Sequence, residues 1–195
     1  YYARLAYRHA ATYASQANIS STLTPGMYTL AARLGKDFDF TPVSGSVPYQ
    51  KTLGGIQVLV NGIAAPIVSL TKNAIYFLVP NLAPTSGAVE YLVTRPATGE
   101  IIAAGNFFMG PAAPGFFTAN QAGTGQVAAC NEGDDCSVKT NGPSNPIGQD
   151  QILTLWMTGY GYLPNAPPEG EAAGKAVETD VKPVINSGAY TVPPE

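Results

Sequence analysis

Short apolar runs separated by turn residues dominate the pattern of hydrophobic and polar positions along this chain. The clearest example is residues 53–80, where three β-rich runs are separated by an Asn61-Gly62 turn and a Lys72-Asn73 turn. Asn-Gly between apolar runs is the strongest short-range signal for a hairpin, because a type I′ turn needs positive φ at both of its central positions. The pattern therefore predicts a β-meander near the middle of the chain.

Similar strand-like runs recur on both sides of this meander, with glycine- and proline-containing turns between them. They cover residues 26–34, 87–94, 101–109, 116–118, 127–130, 152–159 and 181–185. Short strands at intervals of roughly 8–12 residues are typical of an immunoglobulin-like sandwich. Because no segment combines a sustained 3.6-residue period with helix caps, we predict an all-β protein.

Residues 152–159 form the most apolar of these runs and have apolar side chains at both strand parities. Such a pattern is typical of a central strand that is buried on both faces. We therefore predict that Trp156, in the middle of the run, packs in a core. The alternative is an exposed ring that stacks on a sugar.

Residues 1–17 differ in composition from the rest of the chain and are rich in tyrosine and alanine. Their alternate positions put aromatic side chains on one face and Arg4 and Arg8 on the other, which is the period of a β-strand. The aromatic face comprises Tyr1, Ala3, Leu5, Tyr7, His9, Ala11 and Tyr13. The alanine content also permits a helix, but no N-cap residue precedes it. We favour a strand.

A boundary between two modules is predicted at residues 110–115, where glycine and proline are concentrated. These residues cannot continue a strand ladder. We therefore divide the chain into an N-terminal arm at 1–17, which is a candidate donor strand, a first immunoglobulin-like module at 18–110, and a second, shortened immunoglobulin-like module at 111–195.

Composition and charge narrow the class of protein further. Charged residues make up only 12% of the chain, against about 25% in an average domain, while 21 glycines, 17 prolines and 11 tyrosines suit many short strands and turns. The net charge is −3 with no basic cluster, which argues against nucleic acid as a partner. No apolar run approaches the roughly 20 residues needed to cross a bilayer, so we predict that the chain is not membrane-spanning.

The two cysteines, Cys130 and Cys136, are separated by five polar residues. This spacing favours a small disulfide-closed loop, with free thiols as the alternative. A disulfide would place the protein in an oxidising compartment, so we expect a secreted, extracellular or cell-surface location. The chain begins at Tyr1 without a methionine. Either a leader has been removed or the numbering begins inside a longer precursor, and we favour the removed leader.

Three groups of residues could carry chemistry, and each has a simpler structural explanation. Residues 123–128 match the G-x-G-x-x-A pattern of a dinucleotide site, but an acidic loop follows where a helix is needed, so we predict a turn. Glu132, Asp134 and Asp135 could bind Ca²⁺, although a solvated hairpin tip is favoured. A Ser-His-Asp triad would have to use His9, which lies in the arm. We predict no catalytic residues, no cofactor, no metal and no enzymatic activity.

A series of short motifs gives a more specific signal than any of these. The motifs are Leu23-Thr24-Pro25-Gly26, Leu53-Gly54-Gly55, Val60-Asn61-Gly62-Ile63-Ala64-Ala65-Pro66, Val79-Pro80, Ala113-Pro114-Gly115-Phe116-Phe117, Pro143-Ser144-Asn145-Pro146 and Thr158-Gly159-Tyr160-Gly161. In this order they resemble an uncharacterised domain family abundant in soil Acidobacteria such as Solibacter. The resemblance covers about residues 10–185.

This resemblance implies two consecutive immunoglobulin-like modules and an exported protein, because the family's domain often ends large secreted proteins. It implies no catalytic residues, since none are established for the family. Family members usually continue beyond the position of residues 181–185 with a second meander and a closing strand, whereas this sequence stops at Glu195. The second module is therefore expected to lack its last strands, and the N-terminal arm is bulkier than the family pattern.

An incomplete sandwich would leave an apolar groove and unpaired strand edges. The arm of a neighbouring copy could fill that groove by β-strand addition, and such head-to-tail contacts propagate into a filament. Our leading hypothesis is a homopolymeric extracellular structural protein. Its predicted subunit-interface residues are Tyr1, Tyr2, Leu5, Tyr7, Tyr13, Tyr160 and Tyr162. Alternatively, the second module is a smaller sandwich that is complete in itself, residues 1–17 pack on their own domain, and the protein is a monomeric cell-surface adhesion or glycan-binding module.

Overall fold

The computed structural model describes residues 11–15, 22–33, 38, 40–174, 177, 179, 185–187 and 190–192. Every regular element among these residues is a β-strand, and none of them is in an α-helix. The all-β prediction is therefore confirmed. The described strands divide into a two-sheet sandwich before residue 110 and three small ladders after it.

The first half of the chain forms a sandwich of two five-stranded sheets. Sheet I contains, in spatial order, β1 (Ala11–Ser15), β3 (Tyr28–Arg33), β8 (Ile75–Leu78), β7 (Ile67–Leu70) and β4 (Val43–Ser44). Sheet II contains β2 (Thr22–Leu23), β10 (Glu100–Met109), β9 (Gly87–Arg95), β5 (Gln57–Val60) and β6 (Ile63–Ala65). Neighbouring strands are antiparallel except for the short β2–β10 pair, which is parallel.

A single hydrophobic cluster fills the space between these two sheets. Alternate residues of β5 and β8, and of the middle of β9, point into it, as the two-residue period of a β-strand requires. In β9 the buried residues are Val89, Tyr91 and Val93. The Tyr91 ring stacks on Phe107 of β10 with centroids 5.5 Å apart. The position of the Tyr91 ring also explains why residue 105 is a glycine, because a Cβ there would lie 2.7 Å from that ring.

The Asn-Gly hairpin predicted from the sequence is confirmed. Asn61 and Gly62 have φ values of 49° and 79° and connect β5 to β6, which is the positive-φ pair that a type I′ turn needs. The prediction of a continuous meander over residues 53–80 is wrong. Strands β5 and β6 belong to sheet II, whereas β7 and β8 belong to sheet I. The chain crosses between the sheets at Pro66, which has no N–H to donate to a ladder.

The second half contains only two-stranded ladders among the residues that the structure describes. They are formed by β11 (Gly115–Phe116) with β14 (Met157–Thr158), β12 (Ala129–Asn131) with β13 (Leu153–Leu155), and β15 (Ile185–Ser187) with β16 (Tyr190–Val192). The last strand candidate from the sequence, residues 181–185, falls outside the described residues except at its end. The immunoglobulin-like identity of both halves stays a prediction.

The prediction that Trp156 packs in a core is wrong. Trp156 interrupts the run between β13 and β14, and its side chain is 39% exposed. Its carbonyl oxygen accepts a hydrogen bond from the Phe117 N–H at 2.9 Å. The apolar residues at both parities of 152–159 therefore reflect two short strands around an irregular position, and not one central strand.

The N-terminal strand prediction is confirmed where the structure describes it. Strand β1 pairs antiparallel with β3 of the same chain, with Ala11 opposite Arg33 and Ser15 opposite Thr29. The helical alternative is wrong for residues 11–15. The remainder of the predicted arm, including His9, lies outside the described residues.

Candidate functional site

Strand β1 forms one edge of sheet I. Its ladder neighbour among the described residues is β3, and it also approaches β10 and β2 of sheet II across the side of the sandwich. It therefore covers a sheet edge and part of the gap between the sheets. Of the interface residues predicted in the arm, Tyr13 lies on this strand, opposite Ala31 in the β-ladder. Tyr1, Tyr2, Leu5 and Tyr7 lie outside the described residues.

After β14 the chain returns to the first sandwich, and we call residues 159–171 the returning segment. Asn81 is its main polar anchor, because the Asn81 Nδ2 donates to the Leu163 carbonyl at 3.0 Å and the Leu163 N–H donates to Asn81 Oδ1 at 3.2 Å. Glu169 accepts from the Asn81 N–H at 3.0 Å and forms an ion pair with Lys51 at 2.8 Å. The Tyr49 N–H also donates to the Gly170 carbonyl at 2.7 Å.

Two glycines allow the returning segment to begin so close to the linker between the two halves. Gly159 and Gly161 have φ values of 86° and 95°. A Cβ on either would collide with the backbone carbonyl oxygen of Ala113 or Pro111, respectively. The Thr158-Gly159-Tyr160-Gly161 motif is therefore explained by close backbone approach together with left-handed backbone conformation.

The two tyrosines next to these glycines differ in environment. Tyr160 packs over Gly26, where a Cβ would lie 3.7 Å from the tyrosine ring. This burial raises the pKa of the Tyr160 phenol. Tyr162 is 40% exposed. The role of both residues in subunit contacts stays a prediction, and Tyr162 has the more accessible ring.

An aromatic cleft lies between sheet I and the second half of the chain. One wall is formed by Tyr28, Ser69 and Tyr76, and the other includes Phe117 and Gln121. Its volume is about 560 Å³, within the range of small-molecule sites. The wall on sheet I is continuous because β3, β8 and β7 are adjacent, and Ser69 is directly opposite Tyr76.

The three rings of this cleft form one group. The Tyr28 centroid lies 6.2 Å from that of Tyr76 and 6.2 Å from that of Phe117, with tilted planes in both pairs. The Tyr28 N–H donates to Thr158 Oγ1 at 2.9 Å, which fixes the second half against β3. Burial raises the pKa of the Tyr28 phenol to about 12, and the neighbouring phenols of Tyr76 and Tyr49 act in the same direction.

The predicted disulfide between Cys130 and Cys136 is confirmed. Hydrogen bonds among asparagines order the loop beside it. Asn141 Nδ2 donates to Asn131 Oδ1 at 2.8 Å, and Asn145 Nδ2 donates to Asp134 Oδ2 at 2.9 Å. The bond from Asn145 is the largest influence that lowers the pKa of the Asp134 carboxyl.

The acidic residues of this loop are directed to different partners. Asp134 accepts from Lys139 Nζ at 3.3 Å in addition to Asn145. Asp135 accepts from the Ser137 hydroxyl at 2.6 Å, which lowers the pKa of the Asp135 carboxyl. Among the described residues, no three His, Cys, Asp or Glu side chains converge as a metal site. The described acidic side chains of this loop are therefore not grouped as a set of Ca²⁺ ligands.

The G-x-G-x-x-A run lies in a hairpin loop. Gly123 and Gly125 both have positive φ, and a bridge between Thr118 and Val127 closes the loop. The element that follows is strand β12. The turn prediction for residues 123–128 is therefore confirmed.

The aromatic cleft and Asn81 were not singled out by the sequence patterns. The alternating pattern of β3 and β8 indicates on which face of the sheet Tyr28 and Tyr76 lie. It does not indicate which part of the chain packs over that face. Phe117 meets them only through the packing of the two halves. Asn81 follows Val79-Pro80, and its partner Leu163 is far along the chain.

None of the described residues belongs to a helix that is long and apolar enough to cross a membrane. Comparison of the chain with family models, with curated proteins and with solved structures gives no match. The resemblance to the acidobacterial secreted domain family therefore stays a prediction.

Proposed function

We propose that this protein is a non-enzymatic, extracellular structural protein that assembles with copies of itself into a filament or fibre by exchange of its N-terminal strand. The observation that carries the proposal is the position of β1. It comes from the N-terminal segment and, among the residues that the structure describes, lies at a sheet edge with β3 as its one ladder partner. A strand held in this way leaves its sheet by breaking one ladder.

The sheet edge that β1 would leave can also receive the β1 strand of a second copy. Removal of β1 would open the edge of β3 and the approach to β10 and β2. Exposed ladder groups of this kind pair readily with another strand. The β1 strand of a second copy would make the same backbone hydrogen bonds, because domain swapping repeats in trans the contacts made in cis.

The geometry of such an exchange favours a polymer. The donated strand and the receiving edge of β3 are different surfaces, so each copy can donate to one neighbour and receive from another. These contacts extend into a filament unless they close as a ring or a reciprocal dimer.

An extracellular location is supported by the disulfide, because disulfides persist in oxidising compartments. The low charge content and many short strands agree with a structural role.

A cross-linking experiment tests the exchange directly. Thr12 and Ala32 are opposite each other in the β1–β3 ladder, at the Cα separation that permits a disulfide. One protein would carry Thr12→Cys and a second, size-tagged protein would carry Ala32→Cys. The two proteins would be dissociated, mixed and allowed to reassociate under mild oxidation. They should then form a disulfide-linked species of mixed size, because β1 of one copy reaches β3 of another.

The double variant Thr12→Cys/Ala32→Cys is the matched control for the intramolecular arrangement. Under exchange it should form a ladder of covalent oligomers on a non-reducing gel, and electron microscopy of the same sample should show filaments. If the double variant links only within single chains and the mixture gives no hetero-linked species, the proposed assembly is wrong. The monomeric adhesion module would then be the better explanation.

A further inference from the structure

The aromatic cleft has the composition of a site for a ligand with both apolar and hydroxyl-bearing surfaces. Its rings, Tyr28, Tyr76 and Phe117, are each partly exposed and lie around the same space. Aromatic rings supply large, rigid contact area, and a tyrosine adds a polar tip. A pyranose sugar suits such rings, because one of its faces presents mainly C–H groups while its rim carries hydroxyls.

The polar groups of the cleft match the rim of such a ligand. Ser69 and Gln121 contribute a hydroxyl and an amide, each able to donate and to accept hydrogen bonds. Thr118 lines the same wall, and its hydroxyl accepts from the Gly123 N–H at 3.0 Å, which holds the loop in place. Polar groups placed among apolar side chains fix the orientation of a small molecule in a binding site.

The charge of the cleft restricts the ligand. None of its lining residues carries a formal charge at neutral pH, because its ionisable groups are phenols. A charged ligand would lose hydration there without an ion-pair partner, which is costly. A neutral ligand is therefore favoured over phosphate, sulfate or a uronic acid.

The loop at the rim of the cleft contains a backbone outlier. Gln121 has a φ of 57°, in the left-handed region that residues other than glycine rarely adopt. Its N–H donates to the Thr118 carbonyl at 2.9 Å, and Gln121 is one of the residues that line the cleft. Backbone strain of this kind persists where the surroundings over-determine it, and it is concentrated at ligand sites.

We propose that the aromatic cleft between sheet I and the loop at residues 117–121 binds a neutral oligosaccharide. A sugar ring stacks on the aromatic group formed by Tyr28, Tyr76 and Phe117, and its hydroxyls bond to Ser69 and Gln121. This function is independent of strand exchange, since none of these residues belongs to β1. In an extracellular assembly it would fix the protein to surface or matrix polysaccharide.

Calorimetric titration of the intact protein with neutral hexasaccharides tests the proposal. Cellohexaose, xylohexaose, mannohexaose and maltohexaose are the probes, and at least one should bind with a Kd of about 1 mM or tighter. Tyr76→Ala should weaken that binding by about tenfold or more, because it removes one of the three rings on which the sugar stacks. Tyr162→Ala removes an exposed tyrosine outside the cleft and should leave the affinity unchanged.

A second variant guards against a folding defect in Tyr76→Ala. Ala119 lines the cleft and is exposed, so Ala119→Trp should block the cleft without removing a packed side chain. Circular dichroism checks the fold of each variant. The proposal is overturned if no hexasaccharide binds at millimolar concentration, or if the Tyr76→Ala and Ala119→Trp proteins bind as well as Tyr162→Ala. Equal binding of a sulfated hexasaccharide or an extended peptide would also overturn it.

Discussion

At the scale of single residues, Asn81 links the two halves of the chain most directly. Its side chain bonds both the N–H and the carbonyl of Leu163, and its own N–H bonds Glu169. Leu163 is buried in this contact. A side-chain amide is the right group for this position, because it donates and accepts at once.

Asn81→Ala should lower the free energy of unfolding by about 1–3 kcal/mol, because it removes the acceptor of the buried Leu163 N–H and one of the two donors to the Leu163 carbonyl, the other being the Ala166 N–H. Urea denaturation monitored by fluorescence of the single tryptophan measures the change. Asn165→Ala, at an exposed position of the same segment, is the matched control and should change the stability by less than about 0.5 kcal/mol. Equal effects of the two substitutions would contradict this role for Asn81.

Tyr28 gives a prediction for alkaline pH. Burial raises the pKa of its phenol in the folded protein from the usual 10.0 to about 12. Between pH 10 and about 12, the unfolded chain therefore releases the phenol proton while the folded chain retains it. The contribution of Tyr28 to stability is therefore complete below pH 10 and is lost as the pH rises to about 12.

Denaturation of the native protein and of Tyr28→Phe at a series of alkaline pH values measures this effect. The native protein should lose stability more steeply between pH 10 and 12 than the variant, which has no phenol to ionise at this position. Tyr162→Phe controls for the removal of one phenol at an exposed site. Parallel pH profiles for the native protein and Tyr28→Phe would rule out the proposed linkage.

At the scale of elements, the β5–β6 hairpin depends on its turn. Gly62 has a φ of 79°, and a Cβ there would meet no other atom. Gly62→Ala should therefore destabilise the protein only through the backbone conformation, by about 1 kcal/mol. Ser86→Ala, in a loop where the side chain is exposed, provides a neutral reference in the same thermal melts. An unchanged melting temperature for Gly62→Ala would show that the turn relaxes to another type.

The same hairpin shows which parts of the fold the sequence could specify. The Asn61-Gly62 turn is a local conformational requirement and was predicted correctly, as were the strands on either side. The sequence did not predict that β7 lies in the opposite sheet from β5 and β6. The crossing at Pro66 depends on how the two sheets pack against each other. The aromatic cleft was missed for a similar reason. Tyr28, Tyr76 and Phe117 lie on separate elements and meet only when the two halves pack.

At the scale of the whole molecule, buried apolar surface is divided very unequally between the two halves. The hydrophobic cluster lies within residues 23–109, with Ala113 packed against it. After residue 113, the buried hydrophobic residues among those described are Ala129, Cys130 and Leu163. Because hydrophobic burial is the main favourable term in folding, the second half depends on the first for its structure.

Two fragments divided at the predicted module boundary test this dependence. Residues 1–110 should fold alone, because they contain both sheets and their core. They should be less stable than the full chain, since the contacts of Asn81 and Lys51 with the returning segment are lost. Residues 111–195 should remain unfolded even with the Cys130–Cys136 disulfide formed, because the few apolar side chains that its described residues bury cannot offset its conformational entropy.

Amide chemical-shift dispersion and circular dichroism measure the folding of each fragment, and denaturation of the full chain should show a single transition. The second fragment with Cys130→Ser and Cys136→Ser is the matched control for the disulfide and should give the same unfolded spectrum. A dispersed spectrum and a cooperative melt for residues 111–195 would mean that the second half is an independent module. In that case the returning segment would be a contact between two complete domains, and the aromatic cleft would lie at an interface able to open.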